Sequence, residues 1–210
     1  MNPLHGLYAI TDNSLMPDDQ ILLSYVQQAI IGGAHVIQYR DKTSDTEKRY
    51  RQARLLNELC RLHNRTFVIN DDVQLAHQCG AHGVHIGQKD SAIEVARQVL
   101  GNNAIIGVTC HDQLSLANSA ALAGADYVAF GAFFPSKTKP NAKPAPLSLL
   151  AEAKSILSCP IVAIGGITVD NASQTITAGA DMIAVVHSLF AAESITQQAE
   201  AFAHAFNWNE

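Results

Sequence analysis

The chain has 210 residues, 48% of them hydrophobic and 16% charged, with a formal net charge of −5. These values predict one soluble globular domain over residues 1–210 and exclude a nucleic-acid-binding surface, since binding to a phosphate backbone needs a basic face. The N-terminal segment lacks the basic and apolar blocks of a signal peptide, and no apolar run reaches the ~18 residues of a membrane span, so we expect a cytoplasmic location without membrane contact.

Four similar stretches recur along the chain, at 32–38, 79–85, 123–129 and 178–184. Each has the pattern of a helix end followed by a short apolar strand, with a glycine where the backbone would turn left-handed just past the helix. Successive stretches begin 47, 44 and 55 residues apart, which is too long for one strand–helix unit and suits two. Four such junctions therefore predict about eight units.

Further apolar runs, at 7–12, 67–71, 104–109 and 160–166, supply the intervening strands. Hydrophobic strands that alternate with helices are typical of an α/β fold in which helices cover a parallel sheet. About eight units in a chain of this length predict a single-domain (βα)₈ TIM barrel. The alternative is an open doubly wound sheet, but the first strand is not followed by its G-x-G-x-x-G fingerprint.

Polar residues follow several of these strands, and the carboxyl ends of parallel barrel strands meet at one rim where chemistry takes place. Alternation along the second strand should send Gln38 and Arg40 inward, with Lys42 just beyond the strand. Asn70 and Asp71 end the third strand. Later strands or the loops after them carry Asp90, Thr109, Ser136, Thr138 and Lys139.

These charges allow two interpretations. A purely structural one pairs Arg40 with Asp71 or Asp90 in an internal ion network. The mixture of cations, carboxylates, amide and hydroxyls suits a metal diphosphate better, because Mg²⁺ prefers a few carboxylate oxygens together with phosphate oxygens. In that interpretation Asp71 and Asp90 hold Mg²⁺, while Arg40, Lys42 and Lys139 neutralise the phosphates.

Gly165 and Gly166 close the seventh strand, and loops after strands seven and eight commonly bind phosphate in this fold through backbone N–H groups. A simple turn is the alternative for this pair. A second anion site beside the first would indicate two phosphorylated substrates, which favours a transferase.

Three histidines and one aspartate near the strand ends allow simpler interpretations. His82 and His85 should lie on opposite faces of a strand, which argues against a shared metal; we expect a packing role for His82. His85 and His187 lie near the predicted rim as candidate minor substrate contacts. Asp72 is expected to cap the following helix.

The motifs YAITD, QYRDK, INDD, GVHIGQKD, GVTC, FPSKTK, VAIGGI and AVVHS occur in this order along nearly the whole chain. In this combination the chain resembles the thiamine phosphate synthase family. The resemblance implies an Mg²⁺-dependent condensation of 4-amino-2-methyl-5-hydroxymethylpyrimidine diphosphate with 4-methyl-5-hydroxyethylthiazole phosphate, in which pyrophosphate leaves. The thiazole nitrogen substitutes at the pyrimidine methylene carbon by way of a cation, so no protein nucleophile is required.

The same resemblance assigns site residues. The pyrimidine diphosphate would be held by Gln38, Tyr39, Arg40, Asp41, Lys42, Asn70, Thr109 and Lys139. The magnesium ligands would be Asp71 and Asp90. The thiazole phosphate would be held by Ser136, Lys137, Thr138, Gly166, Val186 and His187. The catalytic set would be Arg40, Lys42, Thr109 and Lys139.

Three positions depart from the family pattern. Thr109 stands where serine is common and Ser136 where threonine is common, and both keep a hydroxyl. His187 stands where serine is usual, so phosphate contact there would come from the backbone amide, the imidazole or the neighbouring Ser188.

Other functions remain open at this point. A barrel resembling the thiazole tautomerases would bind a thiazole phosphate and transfer nothing, and a non-catalytic barrel would keep only phosphate affinity. A Schiff-base aldolase is disfavoured because no lysine falls inside a predicted strand. The sequence leaves open the oligomeric state, a homodimer included, and whether the thiazole carries an extra carboxylate.

Overall fold

The computed structural model of the chain describes residues 4–88, 92–135 and 144–206. Within these ranges strands and helices alternate along the chain, as the repeats predict. The strands are Gly6–Ile10 (β1), Ala34–Tyr39 (β2), Thr66–Asn70 (β3), Gly83–Ile86 (β4), Ile105–His111 (β5), Tyr127–Phe130 (β6), Ile161–Ile164 (β7) and Met182–Val185 (β8).

Helices connect successive strands and cover the outside of the sheet. They are Asp19–Ile31 (α1), Thr46–Leu62 (α2), Val73–Cys79 (α3), Ile93–Leu100 (α4), Leu114–Leu122 (α5), Ser148–Ile156 (α6), Val169–Thr177 (α7), His187–Phe190 (α8) and Ile195–His204 (α9). Among the described helices, none combines the length and the apolar character needed to cross a bilayer.

The sheet is a closed barrel in which every strand pairs in parallel with the next. Closure is made by β1 and β8, where Leu7 lies opposite Ile183 and Tyr8 opposite Ala184. This confirms the predicted (βα)₈ barrel. The open doubly wound alternative is wrong, because such a sheet would leave two unpaired edge strands.

The four repeated helix–strand junctions have the predicted backbone. Gly80 caps α3 at φ +69°, and its N–H donates to the carbonyls of the last turn. Gly33, Gly124 and Gly179 also have positive φ. A side chain at such a position would clash with the backbone, so glycine ends each helix and returns the chain to the barrel.

Alternation along the strands divides the apolar side chains between two cores. An inner cluster fills the barrel and includes Tyr8, Val36, Val68, Tyr127, Val162 and Met182. The larger outer cluster lies between sheet and helices and includes Leu7, Ile37, Phe67, Leu56 and Phe202. The helices are thus anchored to the sheet by apolar contact.

Asp71 and Asp72 connect the end of β3 to the start of α3 at the rim. Asp72 is the N-cap of α3, as expected, and its carboxylate accepts from the backbone N–H of Leu75 at 2.9 Å. The predicted third strand ended one residue later than β3 does. Asp71 leaves the strand because its backbone is left-handed, at φ +62°.

Candidate active site

A cavity of about 570 Å³ opens at the carboxyl ends of the strands. Seven of the residues predicted for the site line it together. They are Gln38, Arg40, Asn70, Thr109, Gly166, Val186 and His187. Residues from distant parts of the sequence therefore meet at the carboxyl ends of the strands, as predicted.

Gln38 and Arg40 both face the cavity, as the alternation in β2 predicts. Gln38 is buried and its amide nitrogen donates to the hydroxyl of Tyr8 at 2.7 Å. The backbone N–H of Arg40 donates to Thr11 Oγ1 at 2.9 Å. Within the described ranges, the Arg40 guanidinium forms no ion pair with a carboxylate. The Arg40–Asp90 pair of the structural interpretation lies outside these ranges.

Tyr39 and Asp41 lie on the other side of β2. The Tyr39 hydroxyl donates to Gln52 Oε1 of α2 at 2.8 Å, and its ring packs in the outer core. The strand alternation turns this side chain towards the helices, and the substrate contact expected for Tyr39 stays a prediction. Asp41 is buried and its carboxylate lies 3.1 Å from Lys48 Nζ.

Lys42 and Asp71 form an ion pair at the rim. Asn70 donates to the same carboxylate oxygen of Asp71 from Nδ2 at 2.7 Å. The Lys42 side chain is 56% exposed and that of Asp71 27%, so solvent screens their attraction. A predicted phosphate-binding cation and a predicted metal ligand thus meet directly in the molecule.

This pair lines a second cleft of about 510 Å³. Asn70 lines both this cleft and the mouth cavity, so the two spaces adjoin there. Asp41 and Arg49 also line the cleft, and Arg49 is paired with Asp72 at 2.8 Å. The cleft is therefore strongly polar, and it adjoins the cavity at Asn70.

Five predicted site residues fall outside the described ranges: Asp90, Ser136, Lys137, Thr138 and Lys139. Among the described residues, no group of three or more histidine, cysteine, aspartate or glutamate side chains could hold a metal ion.

Gly165 and Gly166 line the cavity at the end of β7. A β-carbon on Gly166 would lie 2.4 Å from the carbonyl oxygen of Pro135 and 2.6 Å from that of Phe134. Gly165 accepts a hydrogen bond from the backbone N–H of Phe134 at 3.0 Å. Glycine is needed at 166 because the segment after β6 approaches so closely, a requirement that holds whether or not a phosphate binds.

His187 and Ser188 begin the short helix α8 and line the same cavity. The Ser188 hydroxyl donates to the backbone carbonyl of Ile167 at 2.7 Å. Its proton is thereby used, which weakens the expectation that Ser188 substitutes for a phosphate-binding serine. His187 remains the side chain at this corner that can face a ligand.

Sequence reasoning missed a buried hydrogen-bonded chain beneath the cavity. The hydroxyls of Tyr8 and Tyr127 lie 2.8 Å apart. Tyr127 Oη lies 3.0 Å from His85 Nδ1, and His85 Nε2 lies 2.8 Å from Thr109 Oγ1. Together with the bond from Gln38, this joins five strands. Inward positions of polar or phenolic residues on β1, β4 and β6 were the available signal.

Burial favours the neutral forms of His85, Tyr8 and Tyr127. Desolvation lowers the pKa of His85 to about 4 and raises the pKa of Tyr8 and Tyr127 above the ordinary value. His85 is therefore a neutral imidazole at physiological pH. His82 has the expected packing role, since its Nδ1 accepts from the backbone N–H of Phe67 at 3.0 Å.

A closed α/β barrel with a polar, cation-bearing mouth is the form of a barrel enzyme that acts on small phosphorylated molecules. A family model described as thiamine monophosphate synthase matches residues 7–189. The chain belongs to this family.

Individual relatives are similar over most of their length. The chain is 53% identical to the thiamine-phosphate synthase of Saccharophagus degradans, covering 93% of this chain and 90% of that protein. It is 51% identical to that of Thioalkalivibrio sulfidiphilus, covering 97% and 96%. The solved thiamine phosphate pyrophosphorylase of Pyrococcus furiosus superposes with a TM-score of 0.88 at 34% identity, covering 99% of this chain and 97% of that one.

Proposed function

We propose that this chain catalyses the thiamine-phosphate synthase reaction. The methylene–oxygen bond of the pyrimidine diphosphate breaks, pyrophosphate leaves with the electron pair, and the thiazole nitrogen forms the new carbon–nitrogen bond. The single observation that carries the proposal is the meeting of Gln38, Arg40, Asn70 and Thr109 in one cavity beside the Lys42–Asp71 pair. Membership of the family supports it.

Arg40 and Lys42 are the described cations that would receive the leaving pyrophosphate. Arg40 reaches the cavity unpaired with any described carboxylate, and Lys42 stands at the rim. Cations fixed in place stabilise charge that grows on a leaving group, which is the electrostatic form of transition-state stabilisation. Lys139, outside the described ranges, is proposed as a third.

The residues present fit a divalent cation. Asp71 offers a carboxylate at the rim that already attracts the ammonium of Lys42, and Asn70 supports the same oxygen. Mg²⁺ typically takes one or two protein carboxylates and leaves its other positions to water and phosphate, so one aspartate here and Asp90 beyond the described ranges would suffice. When bound, Mg²⁺ would neutralise diphosphate oxygens and make pyrophosphate a better leaving group.

The remaining catalytic work is positioning. Gln38 and Thr109 lie on the cavity wall where they can orient the aminopyrimidine, whose amino group donates electrons to the developing cation. Holding the thiazole nitrogen in line with the methylene carbon then replaces a chance encounter by an organised one.

The thiazole phosphate is proposed to bind across the cavity, at the ends of β7 and β8. Gly166, Val186 and His187 line this side. Ser136, Lys137 and Thr138, which lie outside the described ranges, complete the proposed set.

We further propose that residues 1–210 form one catalytic domain working in the cytoplasm on small phosphorylated molecules, without nucleic-acid or membrane partners. The net charge of −5 supports the exclusion of nucleic acid. A homodimer is the assembly to test by light scattering.

The deciding experiment mixes purified protein, Mg²⁺ and both phosphorylated substrates and assays thiamine phosphate by chromatography. Product that depends on protein, on both substrates and on Mg²⁺ is expected. Mg²⁺-dependent pyrophosphate binding without product would instead indicate a phosphate-binding barrel, and rearrangement of a thiazole phosphate alone would indicate a tautomerase. A carboxylated thiazole phosphate in a parallel reaction tests the second substrate.

A further inference from the structure

Five side chains on five strands form an unbroken line of hydrogen bonds across the barrel interior. They run from Gln38 through Tyr8, Tyr127 and His85 to Thr109, with separations of 2.7, 2.8, 3.0 and 2.8 Å. Both ends line the mouth cavity. Such a line has a direction, because each hydroxyl has a single proton to give.

The direction follows from the bond at Gln38 together with the acceptors that each proton can reach. Gln38 Nε2 donates to the Tyr8 oxygen, so the Tyr8 proton is available for Tyr127. Tyr127 then donates to His85 Nδ1, which leaves the single proton of the neutral imidazole on Nε2. That proton goes to Thr109 Oγ1. The Thr109 hydroxyl proton is left to point into the cavity.

The reverse direction does not satisfy all the donors and acceptors of the same side chains. Tyr127 would donate to Tyr8, and His85 Nδ1 would donate to Tyr127. Tyr8 would then have to donate to Gln38, which presents its amide nitrogen and not its oxygen to this hydroxyl. A buried donor without an acceptor is destabilising, so the forward direction is the stable one.

We propose that His85 is a positioning residue that, as the Nε2–H tautomer, turns the Thr109 hydroxyl into an obligate hydrogen-bond donor towards a ring nitrogen of the pyrimidine. The identity of the ring comes from the proposed function; the direction of the bonds does not. The two tyrosines act only through His85. The consequence is specificity for a heterocycle with an acceptor atom at this point of the wall.

Ring packing supports a fixed imidazole. The His85 and Tyr127 rings are stacked, with centroids 5.6 Å apart and an interplanar angle of 23°. His85 is only 8% exposed, so water does not compete for its nitrogens. A ring held by stacking and by two hydroxyls has little freedom to flip and exchange its partners.

The direct test is nitrogen-15 NMR of the free protein labelled at histidine, with the His85 signals assigned through contacts of its ring protons with the Tyr127 ring. The expected result is a protonated Nε2 and an unprotonated Nδ1. In Tyr127→Phe, which removes the donor to Nδ1, the tautomer preference should weaken, whereas the exposed control Tyr50→Phe should leave it unchanged. A protonated Nδ1 in the wild type would overturn the proposal.

A binding test follows the proton to the ligand. The monophosphate of the pyrimidine alcohol is compared by calorimetry with its two aminopyridine analogues, each lacking one ring nitrogen. One analogue should bind roughly tenfold more weakly, the loss of one buried hydrogen bond. Thr109→Val should reduce that ratio below about twofold, and Thr109→Ser should retain it.

The two failures can be told apart. If Thr109→Val leaves unchanged the affinity of the pyrimidine monophosphate relative to each analogue, the positioning role is refuted although the function stands. If the wild type binds none of the three phosphates, the proposed function fails, and the NMR result still decides the direction of the chain.

Discussion

The phenol ring of Tyr127 occupies the space in which the side chain of residue 107 would stand. A β-carbon added to Gly107 would lie 1.9 Å from Cζ of Tyr127 and 2.3 Å from its hydroxyl oxygen. Gly107 lies opposite Tyr127 in the pairing of β5 with β6. Glycine on one strand therefore makes room for the ring on the next, and the ring fills the barrel below the cavity.

This relationship predicts strong coupling between the two positions. Gly107→Ala should destabilise the protein by about 3 kcal/mol or more through overpacking, and Tyr127→Ala by a similar amount through a cavity. In the Tyr127→Ala background, the added methyl at 107 should cost close to nothing. Urea denaturation of the four proteins measures the coupling; additive losses would contradict it.

Arg40 is expected to matter for turnover far more than for stability. Arg40→Met should lower kcat/KM about 100-fold, because the cavity loses a cation that faces the leaving pyrophosphate. The free energy of unfolding should change by less than about 1 kcal/mol, since no described carboxylate loses a partner. Arg54→Met, on the outer face of α2 where Arg54 pairs with Glu58, is the matched control and should leave both unaltered.

The Lys42–Asp71 pair predicts opposite effects on metal binding and on turnover. Lys42→Met removes the ammonium that competes for the Asp71 carboxylate, so Mg²⁺ should bind the substrate-free protein about two- to fivefold more tightly. Turnover should nevertheless fall, since a phosphate-binding cation is lost.

Calorimetry with Mg²⁺ and steady-state rates test this together. Lys154→Met is the control, because Lys154 pairs with Asp181 at comparable exposure away from the mouth. Weaker Mg²⁺ binding by Lys42→Met would show that Lys42 does not compete for this carboxylate.

Acid should destabilise the protein partly through His85. Because burial lowers the pKa of His85 to about 4, the unfolded chain takes up a proton there between pH 7 and 4 while the folded chain does not. Stability is therefore lost as the pH falls through this window, by up to roughly 3 kcal/mol from this group, and the loss levels off below about pH 4.

The measurement compares urea unfolding at several pH values for the wild type, His85→Gln and His204→Gln. The first variant should show a shallower fall with pH, and the second, an exposed change on α9, should follow the wild type. Parallel curves for wild type and His85→Gln would refute the prediction.

Local rules were enough to predict the barrel and much of its rim. Gly33 and Gly80 marked helix ends, and alternation in β2 placed Gln38 inward and Tyr39 outward. Tyr39 entered the expected substrate set through the family motif, and the alternation turns its side chain towards the helices. A contiguous motif includes residues of both faces, although only one face meets the cavity.

What the sequence could not predict depends on the stagger between strands. The contact between Tyr8 of β1 and Tyr127 of β6 joins positions far apart in the chain and on strands that are not neighbours. Likewise, Lys42 pairs with Asp71, a pair that neither interpretation of the rim charges had predicted. Side-chain length and the left-handed turn at Asp71 decide this, and neither is visible in a pattern of residue types.

In the proposed reaction, the neutral hydrogen-bonded chain would also offer no strong nucleophile to the reactive carbon. The proposed reaction generates an electrophilic carbon above side chains that include two phenols and an imidazole. A phenolate or a freely basic nitrogen there would be alkylated. Tyr8, Tyr127 and His85 are hydrogen-bonded to one another. The floor of the cavity is therefore polar enough to orient a ring, yet it offers no strong nucleophile that the electrophilic carbon would alkylate.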